Sequence, residues 1–598
     1  MATPATPPNG RSILLFGVAA LLVVATVPYF VPMRPAVSDS YIFGYNNRAG
    51  IALFLLFAAV GAWWTRGKTL PGGHIDAKWL PRTYELAAVV VAFLLSYGMY
   101  RLVAPLNGFA ESTYFLHRLN LLAAGRVPYR EFEFAYGAAL LYGPLWLARA
   151  LHVSLAQGYY WFWIATVVAG NALLFESLRM AGDEREDPHP SKPKPGLPGT
   201  PDRRGIFWVF YAISLFGILT TGLNYTLLRF VLPLYAAAWV ERTRAKNFGA
   251  ACAVALGATL VLLVISPEMA VGFAIGSLIY FAISIEWHEK SLVIWMGALV
   301  LALAMTFAIA NSLGVFMTMR AFSAGGNNFP VYVAPSIALF LAVVWCGFQL
   351  LLQGVSGILR YWILLGVVMI PAALGRCDTG HILSYTMGIF LAVALVLSRA
   401  RRWRLGIRIA GVAYVLVFIV PALPVEYIPF TARAAARSGS SVAQRYAKWA
   451  LGAEKAQGIR ENVVTPRLDL PPGEKLLAPF SYRPNGQDVV NSPAIEYGYY
   501  EGMTNVLTPE QINFKLQEIE THPEMPLLLP RQWVSYCVRT SDNSRQLLSG
   551  LFGVPYIKQP AHEMDLYMPV CNYIRASYRY LPTRAEQEFG EFDLWGKK

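Results

Sequence analysis

Charge is scarce in this chain. Asp, Glu, Lys and Arg make up 14% of its 598 residues, against 56% hydrophobic residues and a mean hydropathy of +0.42. Such a balance excludes a cytosolic globular enzyme. Cysteine is scarce too: the five present include no Cys-x-x-Cys spacing, which excludes a disulfide-stapled scaffold and a thiolate metal site. Cys252, Cys346 and Cys377 lie in or beside apolar runs as packing residues. Cys537 and Cys571 are the only pair in the polar C-terminal part, and could bridge if that part faces an oxidising compartment. There is no glycine-rich nucleotide loop. Nor is a cleavable signal peptide evident, since the first apolar run, Arg11 to Pro32, is long enough to span and lacks a small-x-small cleavage site followed by a polar region.

What the chain does have is a formal charge of +14, from 50 Lys and Arg against 36 Asp and Glu. Most of these charges lie in short loops between apolar runs, so the excess reflects membrane topology and anionic lipid, not nucleic acid. Apolar segments of spanning length fall at 12–32, 48–64, 85–104, 157–178, 205–222, 225–241, 248–265, 268–285, 291–311, 332–353, 358–375, 381–398 and 405–424. They predict an α-helical polytopic membrane protein of about thirteen transmembrane helices over residues 1–424.

A further apolar stretch, Gly137 to His152, is short and contains Gly143-Pro144. Orientation decides its status. The most basic loops carry Arg66, Lys68, Lys78 and Arg82; then Arg242, Arg244 and Lys246; then Arg399, Arg401, Arg402, Arg404 and Arg408. These loops and the Pro- and Lys-rich 181–204 share the side of the N-terminus only if 137–152 does not span. It therefore reads as an interfacial or re-entrant helix, with the N-terminus cytoplasmic and the C-terminal part outside.

Residues 425–598 lose the apolar runs and predict a small extracytoplasmic α/β domain, long enough for one core. Thr508-Pro509-Glu510-Gln511 has the form of a helix start, with Thr at the cap, Pro at the first helical position and Gln at the capping-box position. Lys475 to Ser481 and Met525 to Leu529 read as strands.

With this topology the outer loops hold polar residues that lipid-facing helix ends do not need. The first outer loop runs through Glu111, continues as Gly125-Arg126-Val127-Pro128-Tyr129-Arg130-Glu131-Phe132-Glu133-Phe134, and ends at Tyr136-Gly137 with Tyr142-Gly143-Pro144-Leu145 after it. From Glu111 onward a helical projection gathers Phe115, Leu116, Leu119, Leu122 and Ala123 in an arc of about 120°, leaving Glu111, His117, Arg118 and Asn120 outside it. This predicts an amphipathic helix lying on the membrane surface. Later outer turns add Arg229, Glu268, Arg320 with Asn327 and Asn328, and Arg376 with Asp378 and His381.

A carboxylate can take a proton from a hydroxyl and arginines can hold a phosphate bidentately, so this set suits group transfer from a lipid phosphate. Blander readings stand beside it. Glu131 and Glu133 have the look of solvated loop residues, and Arg320 that of an interfacial anchor. Arg229, followed by Phe230-Val231-Leu232-Pro233 in an apolar helix, resists such a reading. Asp378 and His381 have the i, i+3 spacing of a metal pair, but two ligands without others more often form a helix cap and a hydrogen bond.

The first loop, with an acidic residue before an amphipathic helix and then the Val127-Pro128-Tyr129-Arg130-Glu131-Phe132 and Tyr142-Gly143-Pro144-Leu145 elements, resembles the GT-C membrane glycosyltransferases. The resemblance covers the membrane part, about 420 residues of a plan with eleven to thirteen spans and interfacial helices in the first outer loop. It implies transfer of a sugar from a polyprenyl-phosphate donor to an acceptor hydroxyl on a glycan, lipid or protein. A first-loop carboxylate would be the general base.

That residue is commonly Asp in the family. Here the matching position is Glu111, whose extra methylene moves the carboxylate oxygens by about 1.5 Å; Glu131 is the second candidate. Donor phosphate would be held by Arg229, Arg320 and Arg376, with Glu268, Asn328, Asp378 and His381 around the substrate. No cofactor is required and a divalent metal ion is left open. The implied location is the bacterial inner membrane. Competing classes are a ligase or polymerase that moves a whole glycan from a lipid diphosphate, and a lipid or solute transporter.

Overall fold

The computed structural model describes residues 9–32, 45–67, 70, 80–104, 109–182, 217–285, 288–324, 330–331, 335–355, 357–377, 379–398, 405, 428–437, 439, 441–461, 473–480, 495–500, 509–530, 563–581 and 592–598. Among these, eight helices are long and apolar enough to cross a membrane. They are α1 (Gly10–Thr26, extended by a 3-10 turn to Phe30), α2 (Asn47–Trp64), α3 (Arg82–Val103), α6 (Leu155–Gly182), α7 (Leu227–Arg244), α8 (Phe248–Ile265), α9 (Pro267–Ser284) and α10 (Lys290–Ser312). A ninth arises if α13 (Gly357–Val368) and α14 (Ile370–Arg376), bent by 44° to each other, form one span.

Large apolar side chains stand exposed along α1, α3 and α10, among them Leu14, Leu86 and Ile294. Contiguous apolar surface of this kind marks a membrane-embedded chain. The predicted spans at 332–353 and 381–398 are shorter here: α12 (Pro335–Leu352), and the pair α15 (Thr379–Tyr385) and α16 (Met387–Leu397) broken at Thr386. The hydroxyl of Thr386 bonds back to the Ile382 carbonyl at that break. Of the span 205–222 only 217–222 lies among the described residues, and of 405–424 only Leu405.

Helix α7 occupies the middle of the bundle, against α6, α8, α9, α13, α15 and α16. Its run of Ala236, Ala237 and Ala238 is buried, as suits a helix packed on most of its sides, while Trp239 is exposed. At Gly170 of α6 a Cβ would stand 2.6 Å from the amide nitrogen of Leu228. Only glycine lets α6 approach the first turn of α7 so closely, and that approach fixes where Arg229 starts.

Gly137–His152 contains α5 (Ala139–Leu151), which at a 1.5 Å rise measures about 20 Å, short of an about 30 Å hydrocarbon core. His152, with φ +53°, closes it, and α6 folds back along it.

The C-terminal part carries α17 (Ile428–Arg437), α18 (Ser441–Leu451) and α19 (Ala453–Glu461), then a five-stranded sheet flanked by α20 (Pro509–Glu520) and α21 (Glu563–Ser577). Its strands are β1 (Leu476–Ala478), β2 (Ile495–Tyr497), β3 (Leu527–Pro530), β4 (Tyr578–Tyr580) and β5 (Phe592–Lys597), in spatial order β2-β1-β3-β5-β4. β1 pairs parallel with β2 and β3, while β5 runs antiparallel to β3 and β4. Both predicted strands and the helix from Pro509 are present. Cys571 is disulfide-bonded and Cys252, Cys346 and Cys377 are free; Cys537 lies outside the described residues.

One expectation is overturned. Helix α4 (Ser112–Ala123) is not laid on a surface: His117 and Arg118 are buried together with Phe115, Leu116, Leu119 and Leu122. The polar face is covered by the 126–136 segment and by the C-terminal domain. The Glu133 amide donates to the Tyr499 carbonyl at 2.9 Å, the Tyr499 hydroxyl to the Tyr129 carbonyl at 3.2 Å, and the His117 and Tyr497 rings meet at 4.5 Å.

Candidate active site

Three helix starts converge at one end of the bundle. A 3-10 turn, Leu223–Tyr225, leads into α7, and Arg229 falls in its first turn with 1% exposure. A buried guanidinium needs a counter-charge. Glu268, in the first turn of α9 behind Pro267, supplies it through a direct ion pair, in the position where a helix N-terminus favours an anion. Arg229 Nε also donates to Ser266 Oγ at 3.2 Å, and its guanidinium lies 4.6 Å from the Tyr136 ring centroid. The Tyr385 hydroxyl reaches Glu268 Oε1 at 3.4 Å. Below the pair the lining turns apolar, with Phe230, Met269, Phe273, Met369 and Met387 around a small pocket. Charges at this spot therefore interact through a poorly screened medium.

Glu111 heads α4. Its amide donates to the Thr220 carbonyl at 3.2 Å, and its Oε2 accepts from Asn224 Nδ2 at 3.1 Å. The 220–225 turn is pinned beside it: Thr221 Oγ1 donates to the Phe109 carbonyl and the Tyr159 hydroxyl to the Thr221 carbonyl, both at 2.8 Å. Contact is close enough that a Cβ on Gly222 would lie 2.6 Å from Glu111 Cβ and 2.1 Å from Asn224 Oδ1. On either side of this contact two non-glycine residues take left-handed backbone, Ala110 at φ +47° and Thr221 at φ +50°. Such strain costs of order 1–3 kcal/mol per residue and persists only where the surroundings over-determine it.

Tyr136 joins the two halves. Burial raises the pKa of its hydroxyl, Arg229 and Arg376 oppose that rise, Glu111 adds to it, and Asn224 hydrogen-bonds the group. Arg376, at the C-terminus of α14 where a cation is favoured, is thus within electrostatic reach. His381 completes the ring of residues, with Nδ1 3.5 Å from the Tyr225 hydroxyl and its imidazole stacked on Tyr385 at 5.7 Å. Glu111, Arg229, Glu268, Arg376 and His381, five of the residues singled out in the sequence, are brought together around Tyr136, Asn224, Tyr225 and Tyr385.

The others are not. Glu131 is exposed, and its carboxylate accepts from the Val127 amide at 2.5 Å, closing its own turn. Arg320 stands exposed on α11 (Met317–Ala324) and donates to Asn311 Oδ1 at 2.5 Å. Asn328 and Asp378 lie outside the described residues. Among the described residues no three His, Cys, Asp or Glu side chains gather as a metal site would require.

Glu133 is the opposite of a solvated loop residue: it is 1% exposed and paired with the fully buried Arg118. The uncharged members of the site escaped sequence reasoning. Asn224-Tyr225 did carry a signal, as the polar break between two apolar runs just ahead of a helix holding a charged residue.

The chain matches no known protein family, no curated protein and no solved structure.

Proposed function

We propose that the protein is an integral membrane glycosyltransferase that moves a sugar from a polyprenyl-phosphate donor to an acceptor hydroxyl, with inversion at C1. The observation that supports this reading is the gathering of Glu111, Arg229 and Arg376 within electrostatic reach of Tyr136. Glu111 is hydrogen-bonded to an amide and, among the described residues, is ion-paired to no cation, so it is available as a base.

In the proposed step Glu111 takes the acceptor proton as the acceptor oxygen bonds to C1. The bond from C1 to the phosphate oxygen breaks, and its electron pair leaves with polyprenyl phosphate. Arg376 and Arg229 stabilise that charge, in an apolar surrounding where fixed cations act strongly. Glu268 orients Arg229, and His381 with Tyr225 borders the substrate. We place the site at the extracytoplasmic face of a bacterial inner membrane, with the N-terminus cytoplasmic, following the distribution of basic loops.

The test is a transfer assay in nanodiscs with a panel of radiolabelled polyprenyl-phosphate sugars, comparing wild type with Glu111→Gln. Consumption of one donor that depends on Glu111 supports the proposal. A folded wild type that consumes none overturns it and shifts weight to the lipid-diphosphate ligase, then to a transporter.

A further inference from the structure

Helices α17, α18 and α19 form a small three-helix unit apart from the sheet. They share a core of Ala435, Ala436, Ala443, Ala447 and Ala456, and Thr431 Oγ1 meets the Tyr446 hydroxyl at 2.7 Å. The unit packs on the last turn of α3 through Leu102. In α18 the buried side is Ala443 and Ala447; the opposite side presents Trp449 at 74% exposure and Val442 at 64%, with Arg445 and Lys448 beside them. Counting Arg433 and Lys455, the described side chains of the unit include four exposed cations against one exposed carboxylate, Glu454.

The position of α3 says what this face meets. Along α3 the exposed side chains are apolar at Leu86, Val90, Phe93 and Leu94, and the series ends with the exposed Arg101. A lipid-facing belt that stops at a cation marks the level of the headgroups. Leu102, next in the chain, is where the three-helix unit is attached.

We propose that α17–α19 is an interfacial foot, resting in the anionic headgroup layer of the bilayer that α3 crosses. Val442 and Trp449 enter at the boundary of the acyl chains, and Arg445 and Lys448 lie against lipid phosphates. The combination of an aromatic anchor with flanking cations on an amphipathic helix is what an anionic bilayer surface binds. The inference needs only that α3 spans; it does not depend on glycosyl transfer.

The experiment uses the full chain in nanodiscs of phosphatidylcholine, with and without phosphatidylglycerol. A nitroxide on Val442→Cys is compared with one on Gly439→Cys, in the exposed turn before α18. The label at 442 is expected to collide with oxygen more than with a water-soluble nickel chelate, increasingly so with phosphatidylglycerol. Arg445→Gln with Lys448→Gln should weaken that lipid preference by about five-fold per cation removed. If the Val442→Cys protein does not fold, quenching by brominated lipid that drops on Trp449→Phe gives the same information. A label open to nickel in both bilayers, or one shielded from both quenchers by covering protein, overturns the proposal.

Discussion

Arg118 Nε donates to the main-chain carbonyl of Glu133 at 2.8 Å while its guanidinium lies 3.4 Å from the Tyr114 ring centroid. One buried side chain thus ties α4, with Glu111 at its head, to the segment that ends in Tyr136. The Glu133 amide in turn is held by Tyr499 of the C-terminal domain. Glu111, Tyr136 and the C-terminal domain are parts of one fastening.

Removing one end of that fastening leaves a buried charge. Arg118→Leu should destabilise the protein by about 3–5 kcal/mol, and Arg118→Leu with Glu133→Leu should recover a large part of it. Thermal unfolding in nanodiscs measures both. A double variant whose loss equals the sum of the Arg118→Leu and Glu133→Leu losses would show that the pair is not coupled.

Gly222 offers a test of the fit around the base. Its φ of −100° is open to alanine, so Gly222→Ala acts only through the added Cβ. That atom would press on Glu111 and Asn224. Displacing a positioned base by a fraction of an ångström should lower transfer by roughly ten- to a hundred-fold, with overpacking costing about 1–3 kcal/mol. Unchanged turnover would mean that Glu111 is not held where the chemistry occurs.

Arg229 and Glu268 separate a structural role from a chemical one. Arg229→Met strands a carboxylate and should lose both stability and transfer, the latter by about a hundred- to a thousand-fold. Arg229→Met with Glu268→Met should regain stability but not transfer. A double variant that regains both would reduce the pair to packing.

Alkaline pH should loosen the docked domain. Burial, helped by Glu133, pushes the Tyr500 hydroxyl up to about 12 from an ordinary value of 10.0. Because the folded state holds the proton more tightly, this contribution is complete below pH 10 and is lost between there and pH 12. Burial raises Tyr499 in the same sense. The unfolding midpoint should fall across that window, and less so in Tyr500→Phe.

The sequence made the charged part of the site legible because charge within apolar helices has few innocent explanations. Arg229 stood out against Phe230 and Val231, and Glu268 against the run that follows Pro267. Tyr136, Asn224 and Tyr385 did not, since uncharged polar residues are common in such segments. The fate of α4 was hidden for a different reason: a helical projection identifies the apolar arc but not what covers the remainder. Arg118 and His117 looked solvated until the sheet came to lie on them. Glu131 and Glu133 differ only in backbone direction, one turned into its own loop and the other into a domain far along the chain. The strand runs were found from their composition, whereas their order in the sheet depends on crossovers that local pattern does not encode.

That order bears on how the protein is made. β5 is the last of the described strands and yet lies inside the sheet, between β3 and β4. Until Phe592–Lys597 arrives, Leu527, Leu528 and Leu529 of β3 form an open apolar edge, the kind of surface that seeks another strand. The first loop, synthesised long before, cannot be fastened firmly while Tyr499 stands on a half-built sheet. The fastening of the first loop through Tyr499 therefore rests on a sheet that one distant strand closes.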